Sequence, residues 1–145
     1  MKKFILFSTL AVLAIAGCKK KPDGIVGTWK ITAANCNPAV QINGNSTTDL
    51  YAYIYNDACE QDNLLIFKEG TQLIEDQGVL KCDTADAQQS AATYTLNGSN
   101  LTIINSSNDT INFINVTVDE EHLKISQSTT ISGTSTVATL ILARQ

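Results

Sequence analysis

The stretch ATYTLNGSNLTIIN, Ala92 to Asn105, decides how the rest of the chain reads. Ala92–Leu96 and Leu101–Asn105 are two short runs in which apolar and β-branched residues alternate with polar ones, the period of a strand with one buried face. Asn97-Gly98 lies between them, and glycine supplies the positive φ that a tight hairpin turn requires. The segment is therefore expected to be a β-hairpin.

The same pattern extends in both directions, with almost no helical periodicity. Strands are expected near Val26–Ala34, Asn63–Lys68, Thr71–Asp76, Thr110–Val118, Leu123–Ser128 and Ser135–Ala143, in addition to the two above. Glu69-Gly70 links the second and third strands, and Asp119 to His122 links the sixth and seventh. Eight strands in a meander close naturally into an up-and-down antiparallel barrel, which removes the edges an open sheet would expose. The expected fold class is thus all-β, an eight-stranded barrel, with a two-layer β-sandwich as the alternative. One segment departs from the pattern. In TDLYAYIYNDA, Thr48 to Ala58, Leu50, Ile54 and Ala58 fall at helical spacing while Tyr51, Tyr53 and Tyr55 alternate as in a strand; a short helix or helical turn is favoured over the strand, since Asp49 can cap it.

The amino terminus is built differently. Met1-Lys2-Lys3 is basic, and Phe4 to Ala16 is uncharged but too short to span a membrane comfortably as a helix, the layout of a signal peptide. Ile15-Ala16-Gly17-Cys18 resembles the bacterial lipobox. That resemblance implies cleavage after residue 17 and a lipid anchor on Cys18, with each buried methylene contributing ~0.8 kcal/mol to membrane attachment. The expected organisation is a signal peptide over residues 1–17, a lipidated tether over 18–24 and one domain over 25–145. Lys19, Lys20 and Lys21 form a basic tether, so the leaflet and face of the membrane are left open. Beyond Lys21, five basic residues stand against fourteen acidic ones, a net charge of −9. Nucleic acid, which demands a basic face, is not an expected partner.

Gly27-Thr28-Trp29 at the start of the first strand resembles the Gly-x-Trp signature of lipocalins. In that family the tryptophan plugs the closed end of the barrel under an arginine from the last strand, a part that Arg144 is placed to take. Cys59-Glu60-Gln61-Asp62-Asn63, followed by Phe67, Gly70, Gly78 and Cys82-Asp83, is similar to the lipocalin-like lipoproteins of the Bacteroidetes. Where those proteins often carry a tryptophan after the second cysteine, this chain has Ala92-Thr93-Tyr94, and Tyr94 is expected to fill the same space. The family places such proteins in the cell envelope, at the outer membrane.

With Cys18 assigned to lipid, Cys36, Cys59 and Cys82 remain, in an oxidising compartment. A hairpin centred on Glu69-Gly70 puts Cys59 opposite Leu80 and makes Cys82 a diagonal neighbour on the same face. The family pattern also pairs Cys59 with Cys82; a bridge that uses Cys36 is the alternative. Neither catalysis nor a metal site is expected. There is no Cys-x-x-Cys, the one histidine, His122, falls in an acidic turn, and the adjacent Glu75 and Asp76 would point to opposite faces of a strand. No cofactor is implied.

Two functions fit. The first is a carrier of one small apolar ligand, lined by Leu64 and Ile66 or by Leu65 and Phe67, together with Leu101, Ile103, Ile111 and Phe113. The second is an envelope interaction module with a filled barrel, whose Tyr51, Tyr53 and Tyr55 would meet a protein partner. The residues of a ligand site are not assigned by the sequence.

Overall fold

The computed structural model describes residues 24–145. The expected signal peptide over residues 1–17, Cys18 and Lys19–Lys21 lie outside the described residues. Each expected strand is present: β1 (Gly27–Ile42), β3 (Leu64–Phe67), β4 (Gln72–Asp76), β5 (Gln89–Asn97), β6 (Asn100–Ile104), β7 (Thr110–Val118), β8 (His122–Ile131) and β9 (Thr134–Arg144). These eight pair antiparallel in sequence order, and β1 pairs with β9 to close the barrel. The sandwich alternative is excluded, because no edge is left between the first and last of the eight.

Two differences from the expected strands have a common cause. β1 runs to Ile42 rather than stopping at Ala34, and its far half folds back through Asn43-Gly44 into an additional strand, β2 (Asn45–Asp49). Asn43 and Gly44 both have positive φ, the conformation of a two-residue hairpin turn. The polar run Gln41 to Thr48 hides this hairpin from a reading based on hydrophobic alternation, although the Asn-Gly pair marks it.

β1 also carries a bulge. Its register against β9 slips between Ile31 and Ala33, where the Thr32 hydroxyl donates to the Ile141 carbonyl. One extra residue turns the inward set from odd to even numbers, so Trp29 and Ile31 face the interior below the bulge, and Ala34 and Cys36 above it. Two cores result. The lower one packs Trp29 with Phe67, Leu73, Tyr94, Leu101, Leu123, Ile125 and Leu142. The upper one packs Ala34, Cys36, Val40 and Leu50 beneath Tyr51 and Tyr55, and Leu140 touches both.

The expected helical turn is α1 (Tyr51–Ile54), where the Asp49 carboxylate accepts the Tyr51 N–H at 2.9 Å. A second single turn, α2 (Ala58–Gln61), follows it. Cys59 therefore lies on a helical turn and not on an extension of β3. The β3–β4 register is also one residue from that expected, since Leu64 faces Asp76 and Phe67 faces Leu73.

Strand directions define the two ends. The turns after β3, β5 and β7 share one end with Gly24 and the carboxyl terminus. The other end carries α1, α2, the 77–88 loop and the turns after β6 and β8.

Candidate functional site

At the first of these ends the sequence motif assembles as a plug. Trp29 is fully buried, and its indole N–H donates to the Ile25 carbonyl at 2.8 Å. The Arg144 guanidinium lies 4.1 Å from the centroid of the Trp29 ring, within range for a cation–π interaction. Its nitrogens donate to the carbonyls of Val26 at 3.0 Å, Gly24 at 3.3 Å and Glu120 at 3.0 Å. Gly27 has a φ of +147°, and a Cβ there would collide with the same guanidinium. Glycine, tryptophan and arginine thus work as one unit: the absent side chain makes room for the cation that covers the ring. Tyr94 joins the packing with its ring edge-on to Phe67, 4.9 Å between centroids, and its hydroxyl donates to the Lys68 carbonyl.

At the opposite end a cavity of about 400 Å³ opens between the strand ends, α2 and the 77–88 loop. Ile31, Leu64 and Leu65 are its apolar lining, and the acidic residues Glu60, Glu75, Asp76 and Asp86 line it as well. The register explains Glu75. Leu65, Glu75 and Ser90 form a row across β3, β4 and β5, next to the buried row of Phe67, Leu73 and Ala92. Residues two apart share a face, so Glu75 points the same way as Leu73. Leu65 and Phe67 are therefore the inward pair on β3, which resolves the two parities open in the sequence.

The 77–88 loop is tied down by three devices. Cys59 and Cys82 form the expected disulfide, and Cys82 lines the cavity. Asp62 accepts the N–H groups of Val79 at 2.7 Å and Leu80 at 2.8 Å on one carboxylate oxygen. Gly78, with φ of +67°, passes so close to Asp62 that a Cβ would meet its backbone carbonyl and its carboxylate. Asp76 completes the frame by accepting from the Gly78 N–H and from the side-chain amides of Gln88 and Gln89. Those donors, Gln89 first, hold its carboxyl below the usual carboxylate range. The acids after Cys59 are thus divided in role: Asp62 latches a loop, and Glu60 faces the cavity.

A family model described as a lipocalin-like domain matches residues 25–125. The chain belongs to the lipocalin-like domain family. The match spans β1 to the middle of β8, so the family signature covers the plug tryptophan and both bridged cysteines, while Arg144 lies beyond it. No curated protein and no solved structure matches the chain.

The lipocalin-like barrel brings some expected residues together and keeps others apart. Gly27, Trp29 and Arg144 meet at the closed end, and Cys59 and Cys82 meet at the mouth. Cys36 stands apart from the bridge as a buried free thiol, with its sulfur 3.6 Å from the Thr47 carbonyl. His122 lies in the Asp119 turn at the closed end, where Asp119 accepts the N–H groups of Glu121 and His122. Of the three tyrosines, Tyr51 and Tyr55 pack onto the upper core with centroids 5.3 Å apart, and Tyr53 is exposed. Burial first, then the neighbouring Tyr51 and Glu60, pushes the Tyr55 hydroxyl pKa up. Two of the three rings therefore roof the barrel, half-buried on its upper core. The mouth residues Glu60 and Glu75 were not singled out as a site by sequence; the signal for Glu75 was its place two residues after Leu73.

Proposed function

We propose that this lipocalin-like barrel is a membrane-tethered carrier of the bacterial cell envelope, held by a lipid on Cys18, that binds one small apolar ligand at its mouth and performs no catalysis. The observation that carries the reading is the mouth cavity. Its volume and apolar wall suit a ligand of modest size, and the lower core that fills the barrel beneath gives it a solid floor. The lipobox resemblance of Ile15 to Cys18 supports the anchor and an outer-membrane address. Gly24 lies at the closed end, tied to Arg144. Five residues lie between it and Cys18, so about 20 Å of extended chain would join the closed end to the anchor.

The barrel closes entirely within residues 24–145, so this portion is the soluble domain to test. Purified from cells and examined by native mass spectrometry, it is expected to carry an extra hydrophobic mass that denaturation releases. A clean apo mass, with no uptake of added apolar probes, would favour the interaction module with a filled interior. For the anchor, full-length Cys18→Ala is expected to lose the lipid mass and leave the processed membrane-bound pool. An unchanged lipidated species would defeat the tether.

A further inference from the structure

Resting on the carrier reading, we infer that the mouth cavity selects an amphipathic ligand with a cationic head, a lipophilic amine, and discriminates against fatty acids. Four acidic residues line the cavity, and no lysine or arginine does so among the described residues. The frame occupies the carboxylate of Asp76, and Glu60 and Glu75 are two of those it does not occupy. Glu60 has one carboxylate oxygen buried with no hydrogen-bond partner. Glu75 stands in the inward row beside Leu65 and accepts only a long bond, 3.2 Å, from Ser90. Asp76, by contrast, is occupied by the Gln88, Gln89 and Gly78 donors.

The nearest cation in sequence, Lys81, is used elsewhere. Its ammonium donates to the backbone carbonyls of Thr84 and Asp86 and so braces the loop. A carboxylate oxygen enclosed without a donor is costly, and turning the Glu60 side chain to meet a ligand's N–H groups would relieve that cost. A fatty acid placed with its tail on Ile31 and Leu65 would set its carboxylate beside Glu60 and Glu75, where like charges repel. An alkylammonium in the same pose supplies donors and opposite charge. A metal ion fits less well, because among the described residues no three His, Cys, Asp or Glu side chains are grouped closely enough to hold one.

The test is calorimetric titration of the 24–145 domain with dodecylamine, dodecanoate and dodecanol, all below their micellar concentrations. Dodecylamine is expected to bind at least tenfold more tightly than dodecanoate, with dodecanol between them. The Glu60→Gln/Glu75→Gln variant should lose roughly tenfold in dodecylamine affinity and keep its dodecanol affinity, which also shows that it folds. The control Glu69→Gln/Glu121→Gln, at turns of the closed end, should keep the full preference. Dodecanoate binding as tightly as the amine would overturn the inference and leave the carrier intact, as would an equal loss in the control, which would mark diffuse attraction to an acidic domain. Failure of all three probes to bind would overturn the carrier reading itself.

Discussion

Trp29→Ala is expected to lower the stability of the barrel by about 4 kcal/mol, the range for removing a large aromatic from a packed core. For a domain of this size the melting temperature should fall by about 15 °C. The ring is fully buried at the closed end, packed in the lower core, hydrogen-bonded to Ile25 and covered by Arg144. Alanine leaves a void, an unpaired Ile25 carbonyl and a guanidinium with no ring beneath it. Urea unfolding followed by far-ultraviolet circular dichroism measures the loss without relying on the indole. Trp29→Phe should fall between the two, since it keeps a ring but not the indole N–H. A loss below about 1 kcal/mol for the alanine variant would show that the closed end is not a packed plug.

The second large effect is expected at the bridge. Cys59→Ser/Cys82→Ser should destabilise the domain by about 3 kcal/mol, because a cross-link over a sequence separation of 23 restricts the unfolded chain. The native loop is not left free by this change, since Asp62 still accepts Val79 and Leu80 and Asp76 still accepts Gly78. Unfolding should therefore stay cooperative at a lower urea midpoint, and ligand binding at the mouth should weaken only modestly. Non-reducing peptide mapping of the wild-type domain is expected to show Cys59 joined to Cys82 and Cys36 free. Free thiols at both Cys59 and Cys82 would overturn the bridge, and an unchanged urea midpoint in the variant would remove its stabilising role.

Much of the barrel was legible because its signals are local. Thr110–Val118 was read with the bounds it has, since alternation and flanking polar turns are properties of adjacent residues. The pairing of Cys59 with Cys82 was also reached, from the family pattern and from a hairpin register that the structure corrects. The hairpin register was one residue off, and Cys59 sits on α2, so the bridge ties a helical turn to a loop. The β2 hairpin was missed because its residues are almost all polar and its exposed faces carry no alternation. Asn43-Gly44 was the remaining cue.

The mouth was harder to read. Nothing around Glu75 distinguishes it from a solvated strand acid until Leu65 and Ser90 are seen beside it in the same row. Asp62 and Gly78 look unrelated in sequence, sixteen positions apart, and only folding brings the glycine against the carboxylate.

By itself, the sequence determined the all-β class, the eight strands of the barrel and the motif at its closed end. The class and the strands follow from the periodicity of neighbouring residues, which the chain carries before it folds, and the closed-end motif from its resemblance to the lipocalin signature. Tertiary structure alone decided which parity faces inward, through the bulge at Thr32 that reverses β1, and which acids gather at the mouth. Those outcomes depend on cross-strand register and loop closure, where one residue of slip exchanges the inner and outer faces.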